Sequence, residues 1–139
     1  MTQHAREEPA PTEADFASVK AAQAALEARG WQPATLNEMV AAWVALVEHV
    51  EHGYNMTIDE YTNDLSTRGW LEEARPFLTE RVQTSLDARL DPVDDRFKTA
   101  TIATSKRLPG GGRDWWYRLP KRLEGELAED VARMDLSDT

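Results

Sequence analysis

The sequence predicts a mainly α protein. We expect a single-domain helical bundle of five or six helices over residues 13–135, with an extended or hairpin excursion near 99–119 and a mobile N-terminal tail at 1–12. Three observations support this prediction. Apolar residues recur at spacings of three and four through most of the chain, as on one face of a helix. Threonine-based capping patterns precede several of these stretches. Residues typical of extended chain concentrate only near 99–119.

The composition is that of a folded, acidic protein. Hydrophobic residues make up 41% of the 139 positions, five residues are tryptophan, and the net charge is −9. No run of about 18 apolar residues is present, so we predict no membrane span. The N-terminal residues lack the apolar stretch of a secretory signal. The chain has no cysteine, which excludes disulfides and thiolate metal sites. We therefore expect a cytoplasmic protein.

The first two helices have clear boundaries. Thr12 is the expected N-cap of the first helix, and Gly30 follows its end. Thr35 and Glu38 form a capping box at the start of the second helix, which Gly53 ends. The second helix has the widest apolar face in the chain, so it is predicted to form the centre of the core. Its apolar positions are Leu36, Met39, Val40, Trp43, Leu46, Val47 and Val50.

The next helices are predicted from similar signals. Thr57 and Glu60 form a second capping box, and Gly69 predicts a break or kink near 66–69. A fourth helix follows, with an apolar stripe at four-residue spacing. Asp91 as cap with Pro92 at the first helical position predicts that a separate, short fifth helix begins there. The stripe of the fourth helix consists of Leu78, Val82, Leu86 and Leu90.

The C-terminal third changes character. β-branched residues near 99–104 and aromatic residues at 115–117 predict a hairpin, with a flexible glycine turn at 110–112 whose deletion should matter little. Pro120 is predicted to open a last helix that ends near Met134. The residues expected to be largely buried are Met39, Trp43, Val47, Tyr61, Leu65, Val82, Leu86 and Phe97.

Charge is distributed unevenly along the chain. Residues 35–95 carry −9 and residues 124–139 carry −5, whereas residues 96–123 carry +7. A dense carboxylate face attracts a basic partner and can mask its charge. We therefore favour a non-enzymatic, acidic protein-interaction module that binds a basic protein partner. An immunity-like or antitoxin-like inhibitor of a nucleic-acid-targeting toxin is one example of this class.

The segment 106–122 mixes cations with aromatic residues, as surfaces that bind nucleic acid do. It has three possible roles: a clasp on the protein's own acidic helices, a surface for a protein partner, or, least favoured, a nucleic-acid contact. We favour the clasp. It requires that Trp115 or Trp116 be buried, and that Arg118 or a neighbouring arginine (Arg113, Arg122) meet carboxylates from 57–95.

Residues 59–68 contain further candidates for partner binding. Asp59 and Asp64 belong to the acidic stretch, and Asp64 precedes Arg68 by four residues. This spacing allows an ion pair along one helical face. Such a pair either braces the helix or forms part of a polar binding surface. The predicted partner-binding residues are Asp59, Asp64, Arg68, Trp115, Trp116 and Arg118.

His49 and His52 lie three residues apart on the second helix, beside Glu48 and Glu51. Histidine and carboxylate side chains on one helical face can bind a divalent metal. The alternative function is therefore a small metal-dependent or hydrolytic enzyme using these histidines and nearby carboxylates. The pattern matches no standard metal motif, and helix C-terminal histidines also interact favourably with the helix dipole. We predict no cofactor.

The motifs Gly53–Tyr54, Glu60–Leu65 with Arg68, and Trp115–Pro120 occur together in this order. With them, the chain resembles a family of small acidic helical bacterial proteins to which no activity is attached. The resemblance covers about residues 35–130. It implies a helical fold and a bacterial source, and nothing about activity.

Overall fold

The computed structural model describes residues 10–138, so most of the predicted tail at 1–12 lies outside the described residues. It confirms a mainly helical bundle with a small two-stranded antiparallel sheet. The five α-helices, α1 to α5 in chain order, are Glu13–Ala28, Leu36–His52, Ile58–Ala74, Glu80–Ala100 and Gly125–Met134. A 3₁₀ turn, Arg75–Phe77, links α3 to α4, and the strands are β1 (Thr101–Ile102) and β2 (Leu119–Pro120).

The predicted helix starts are confirmed where a threonine caps them. Thr12 and Thr35 each accept a hydrogen bond from the backbone of the third helical residue, and both capping boxes are complete. Thr57 accepts from the backbone N–H of Glu60 at the start of α3, but the predicted capping box there is incomplete, because the Glu60 carboxylate accepts from the Thr57 hydroxyl and not from its backbone N–H. Gly53 ends α2 with φ 109°, a backbone conformation that glycine adopts without strain.

Three predicted boundaries are wrong. α3 runs without a break through Gly69, because the buried residues on both sides of the glycine hold the helix against its neighbours. The predicted fourth and fifth helices are one helix, α4, with Pro92 inside it. Pro92 lies on the exposed face, where water can bond the carbonyl that lacks an N–H partner. α5 begins at Gly125 because Pro120 belongs to the sheet.

The core surrounds α2, which packs against both α3 and α4. Six of the eight residues predicted to be buried are fully enclosed, and Met39 and Val82 are half-buried against the same cluster. The rings of Trp43 and Phe97 pack with centroids 4.9 Å apart. The six enclosed residues are Trp43, Val47, Tyr61, Leu65, Leu86 and Phe97.

The predicted hairpin is present in a short form. Thr101 pairs with Pro120 and Ile102 pairs with Leu119 in antiparallel register. The chain between these strands, 103–118, packs on α3 and α4 through Trp115 and Trp116. Within residues 10–138, none of the helices has the length and apolar character needed to cross a membrane.

Candidate functional site

A buried ion pair joins α3 to α4. Arg68 donates through Nε to Oδ1 of Asp94 (3.1 Å) and through Nη2 to Oδ2 (2.9 Å), and both residues are under 10% exposed. Nε1 of Trp43 donates to the same Oδ1 at 2.9 Å. The remaining Nη1 of Arg68 donates to Glu72. The predicted pair between Arg68 and Asp64 is therefore wrong, because Arg68 pairs with Asp94 in the core and with Glu72 one turn further along its own helix.

Two tryptophans of the 106–122 segment lie over this pair. The guanidinium carbon of Arg68 is 5.6 Å from the ring centroid of Trp116 and 5.7 Å from that of Trp115. Trp116 is 5% exposed and Trp115 is 37% exposed. Nζ of Lys98 lies 4.6 Å from the Trp115 centroid. The prediction that at least one of the two rings is buried is confirmed, and Trp116 closes the core over the ion pair.

The predicted arginine contacts of this segment are wrong. Arg118 does not meet carboxylates from 57–95. It donates to Oγ1 of Thr101 at 2.8 Å and to the carbonyl of Thr101 at 3.1 Å. Arg122 pairs with Glu124. The segment is held by the packing of its rings, by hydrogen bonds from its arginines to neutral oxygens and by the ion pair of Lys106 with Asp135.

A tyrosine pair anchors the segment to α3. Tyr61 is fully buried and donates from its hydroxyl to the carbonyl of Arg118. Tyr54 packs edge-on against Tyr61 and donates to Oδ2 of Asp64 at 2.7 Å. Burial, together with the Asp64 carboxylate, raises the pKa of Tyr54 far above its ordinary value. Asp64 is half-buried, and its carboxylate accepts a hydrogen bond from within the protein.

The two histidines of α2 have separate surroundings. The His49 ring packs on Tyr54 with centroids 4.5 Å apart. Nδ1 of His52 lies 2.8 Å from the carbonyl of Glu48 in the last turn of the helix. Across residues 10–138, histidine and carboxylate side chains form no group of three or more that could hold a metal ion.

The glycine turn is packed rather than loose. Gly110 has φ +74°, and Gly111 is buried against the ring of Tyr117. A Cβ added at Gly111 would lie 2.9 Å from Cδ1 of Tyr117. Leu108, just before the turn, is 1% exposed. The expectation that deleting 110–112 matters little therefore conflicts with the structure, since these glycines let the aromatic ring approach the backbone.

This packed segment encloses a surface cleft of about 570 Å³, which we call the basic cleft. Its lining carries four cations, one carboxylate (Asp114) and two aromatic side chains. Arg113 makes no ion pair with any residue of the described range 10–138. The cations and aromatic residues of the basic cleft are Lys106, Arg107, Arg113, Arg118, Trp115 and Tyr117.

A second surface lies where α5 meets the start of α3. The backbone N–H of Ile58 donates to Oδ2 of Asp130 at 3.0 Å, and the N–H of Glu126 donates to the carbonyl of Asn55 at 3.1 Å. The bond from Ile58, with a weaker contribution from Arg133, lowers the pKa of Asp130. These bonds bring the start of α5 next to the start of α3 and the connection that contains Met56, and both helix starts carry exposed carboxylates. The acidic surface consists of Met56, Asp59, Glu60, Glu126 and Glu129.

Sequence reasoning missed three residues that organise these surfaces. Asp94, Thr101 and Asp130 each bond to a partner at least 17 residues away, which no local pattern marks. Only Asp94 had a usable signal, because it lies four residues after Leu90 on the apolar side of its helix.

Comparisons of this chain with protein-family models, with curated proteins and with solved structures find no match. The functional interpretation therefore depends on the contacts and charges of the chain itself.

Proposed function

We propose that this protein is a non-enzymatic interaction module that binds a basic protein partner through its acidic surface. The observation that supports this is the joining of α5 to the start of α3 by the Asp130–Ile58 hydrogen bond. Together with the bond from Glu126 to Asn55, that contact fixes the exposed carboxylates of the two helices relative to each other. The starts of the two helices, which carry Asp59, Glu60, Glu126 and Glu129, therefore lie beside the connection that contains Met56.

Met56 gives this surface an apolar centre. It is 40% exposed in the connection between α2 and α3. Protein interfaces combine a small apolar centre, often containing methionine, with a polar rim. The carboxylate rim favours a cationic partner, and the net charge of −9 would steer such a partner towards the protein from a distance. The partner we propose is therefore a protein with a basic, partly apolar contact face.

The predicted partner-binding residues divide between this role and others. Asp59 belongs to the acidic surface and is exposed. Asp64, Arg68 and Trp116 hold the core together, and Arg118 is bonded to β1. In this proposal those four residues support the fold and do not contact the partner.

Inhibitors of nucleic-acid-targeting toxins illustrate the class, because proteins that bind nucleic acid carry basic surfaces that an acidic protein can cover. An immunity-like or antitoxin-like role in the bacterial cytoplasm is the concrete form of the proposal. A cytoplasmic location is compatible with a chain that has no cysteine and needs no disulfide.

The test compares two variants of equal net charge. The surface variant carries Asp59→Asn, Glu60→Gln, Glu126→Gln and Glu129→Gln. The control variant neutralises four exposed carboxylates elsewhere, with Glu27→Gln, Glu48→Gln, Asp91→Asn and Asp95→Asn. Each protein is immobilised and exposed to native bacterial lysate at low ionic strength, where charge attraction is strongest. Retained proteins are identified by mass spectrometry.

We expect the unmodified protein and the control variant to retain the same basic protein, and the surface variant to lose it. Equal retention by the two variants would show that the net charge, and not the acidic surface, determines binding, and it would contradict the proposal. Retention of no basic protein by the unmodified chain would also contradict the proposal.

A further inference from the structure

The basic cleft has the size of a ligand site. Its volume of about 570 Å³ falls within the range of roughly 300–1,000 Å³ that is typical of small-molecule pockets. Its walls are held from both sides. Trp116 and Tyr61 fix one wall to the core, and the side chain of Asp138 accepts hydrogen bonds from the backbone and hydroxyl of Ser105 at the other. A cleft with fixed walls loses little conformational freedom on binding.

The charge of the cleft is only partly compensated by carboxylates. Arg107 donates through Nε to the carbonyl of Gly111, and Arg118 donates to oxygens of Thr101, so both guanidinium groups are held by neutral acceptors. The charge of Lys106 acts on the carboxylate of Asp138, and its Nζ pairs with Asp135, which is 79% exposed at its side chain. Such an exposed pair is weak and readily exchanged.

Arg113 and Asp114 complete the charge balance of the cleft. Arg113 has no ionic partner within residues 10–138, and Asp114 is the single carboxylate of the lining. The lining carries four cations and one carboxylate, and when Asp135 and Asp138, which border it at Lys106 and Ser105, are included, an excess of one positive charge remains. An anion that enters it meets guanidinium groups already oriented by the protein.

The rest of the molecule restricts which anion can bind. The chain as a whole carries −9, so a long polyanion that extends beyond the cleft would meet repulsion from the acidic helices. A compact anion stays within the positive region. Trp115 and Tyr117 line the same cleft and provide aromatic surface for an organic group attached to the anion.

We propose that the basic cleft binds a small phosphorylated ligand of about the size of a mononucleotide, with Arg113 as its main phosphate contact. Arginine bonds phosphate with two parallel N–H donors, which suits a terminal phosphate group. This site is separate from the acidic surface, so the two proposals stand or fall independently.

Isothermal titration calorimetry of the full chain with adenosine monophosphate tests this site, with adenosine, inorganic phosphate and a single-stranded ten-nucleotide DNA as further probes. We expect saturable one-to-one binding of the monophosphate and much weaker binding of adenosine. Inorganic phosphate should compete with the monophosphate. Arg113→Ala should weaken binding by about tenfold, the loss of one charge-assisted contact.

Lys121→Ala is the matched control, because Lys121 is an exposed cation outside the cleft lining. It should leave binding unchanged. Absence of binding by the monophosphate would overturn the proposal, and so would adenosine binding as tightly as the monophosphate. If Arg113→Ala and Lys121→Ala weakened binding of the monophosphate equally, the overall charge and not the cleft would determine binding, and the proposal would fail. Tighter binding of the oligonucleotide than of the monophosphate would indicate an extended nucleic-acid surface instead. Circular dichroism of both variants confirms that they remain folded.

Discussion

Removal of the Asp94 carboxylate should destabilise the protein strongly. In Asp94→Ala, the buried guanidinium of Arg68 loses two of its hydrogen bonds and keeps only Glu72. Breaking a buried ion pair from one side costs about 3–5 kcal/mol. Nε1 of Trp43 also loses its acceptor, which adds about 1 kcal/mol or more. Because Glu72 still compensates part of the charge, the expected loss is near the lower bound of this sum, about 4 kcal/mol.

Urea denaturation followed by circular dichroism measures this loss as a change in the free energy of unfolding. Asp95→Ala is the control, since Asp95 is the exposed neighbour of Asp94 on the same helix and should change stability by less than about 0.5 kcal/mol. The double variant Arg68→Met with Asp94→Leu should be more stable than Asp94→Ala, because it leaves no unpaired buried charge. A loss under about 1 kcal/mol for Asp94→Ala would refute the reasoning that this pair is buried and coupled to the core.

Three further predictions concern the core, the glycines and the response to acid. Trp43→Ala should cost about 3–5 kcal/mol in urea denaturation, because the ring is fully buried, and a loss under about 1 kcal/mol would mean a surface position. Gly111→Ala should destabilise by about 1–3 kcal/mol through its clash with Tyr117. Gly69→Ala, whose added Cβ would lie 3.6 Å from its nearest neighbour, should stabilise by up to about 1 kcal/mol. Stabilisation by Gly111→Ala, or destabilisation by Gly69→Ala, would contradict the packing described at that glycine. Burial alone would raise the pKa of Glu72, but hydrogen bonds from two arginines outweigh it and hold the pKa below its ordinary value of 4.5. The stabilisation from Glu72 is thus present above that value and is lost as the pH falls through the folded pKa, so Glu72→Gln should destabilise the protein at pH 7 and progressively less in acid. An effect of Glu72→Gln that does not change between pH 7 and about pH 3 would contradict this assignment.

Local signals in the sequence were sufficient for the starts of α1, α2 and α3. A threonine hydroxyl and the backbone three residues later lie within one turn, so Thr12, Thr35 and Thr57 could be recognised as caps without knowledge of the fold. The apolar face of α2 likewise predicted most of the core around Trp43. Breaks were overpredicted, because the cost of Gly69 or Pro92 in a helix was judged without the tertiary packing that outweighs it.

The candidate sites could be predicted only in part. The segment 106–122 was recognised by its cations and tryptophans, and burial of one ring was expected from their alternation. The partner of Arg118 was not predictable, because Thr101 lies 17 residues away on β1. The pairing of Arg68 with Asp94, 26 residues apart, likewise depends on how α3 and α4 both pack on α2. The acidic surface depends in the same way on Asp130, which bonds to a residue 72 positions away.

The central claim is that the partner binds at the acidic surface. Retention of a basic protein by the surface variant and by the control variant tests it most directly. Both variants have lost four exposed carboxylates and carry the same net charge, so they differ only in where the charge was removed. The account predicts that the variant altered at Asp59, Glu60, Glu126 and Glu129 loses the retained protein while the control variant keeps it. Loss from both variants, or from neither, would contradict it.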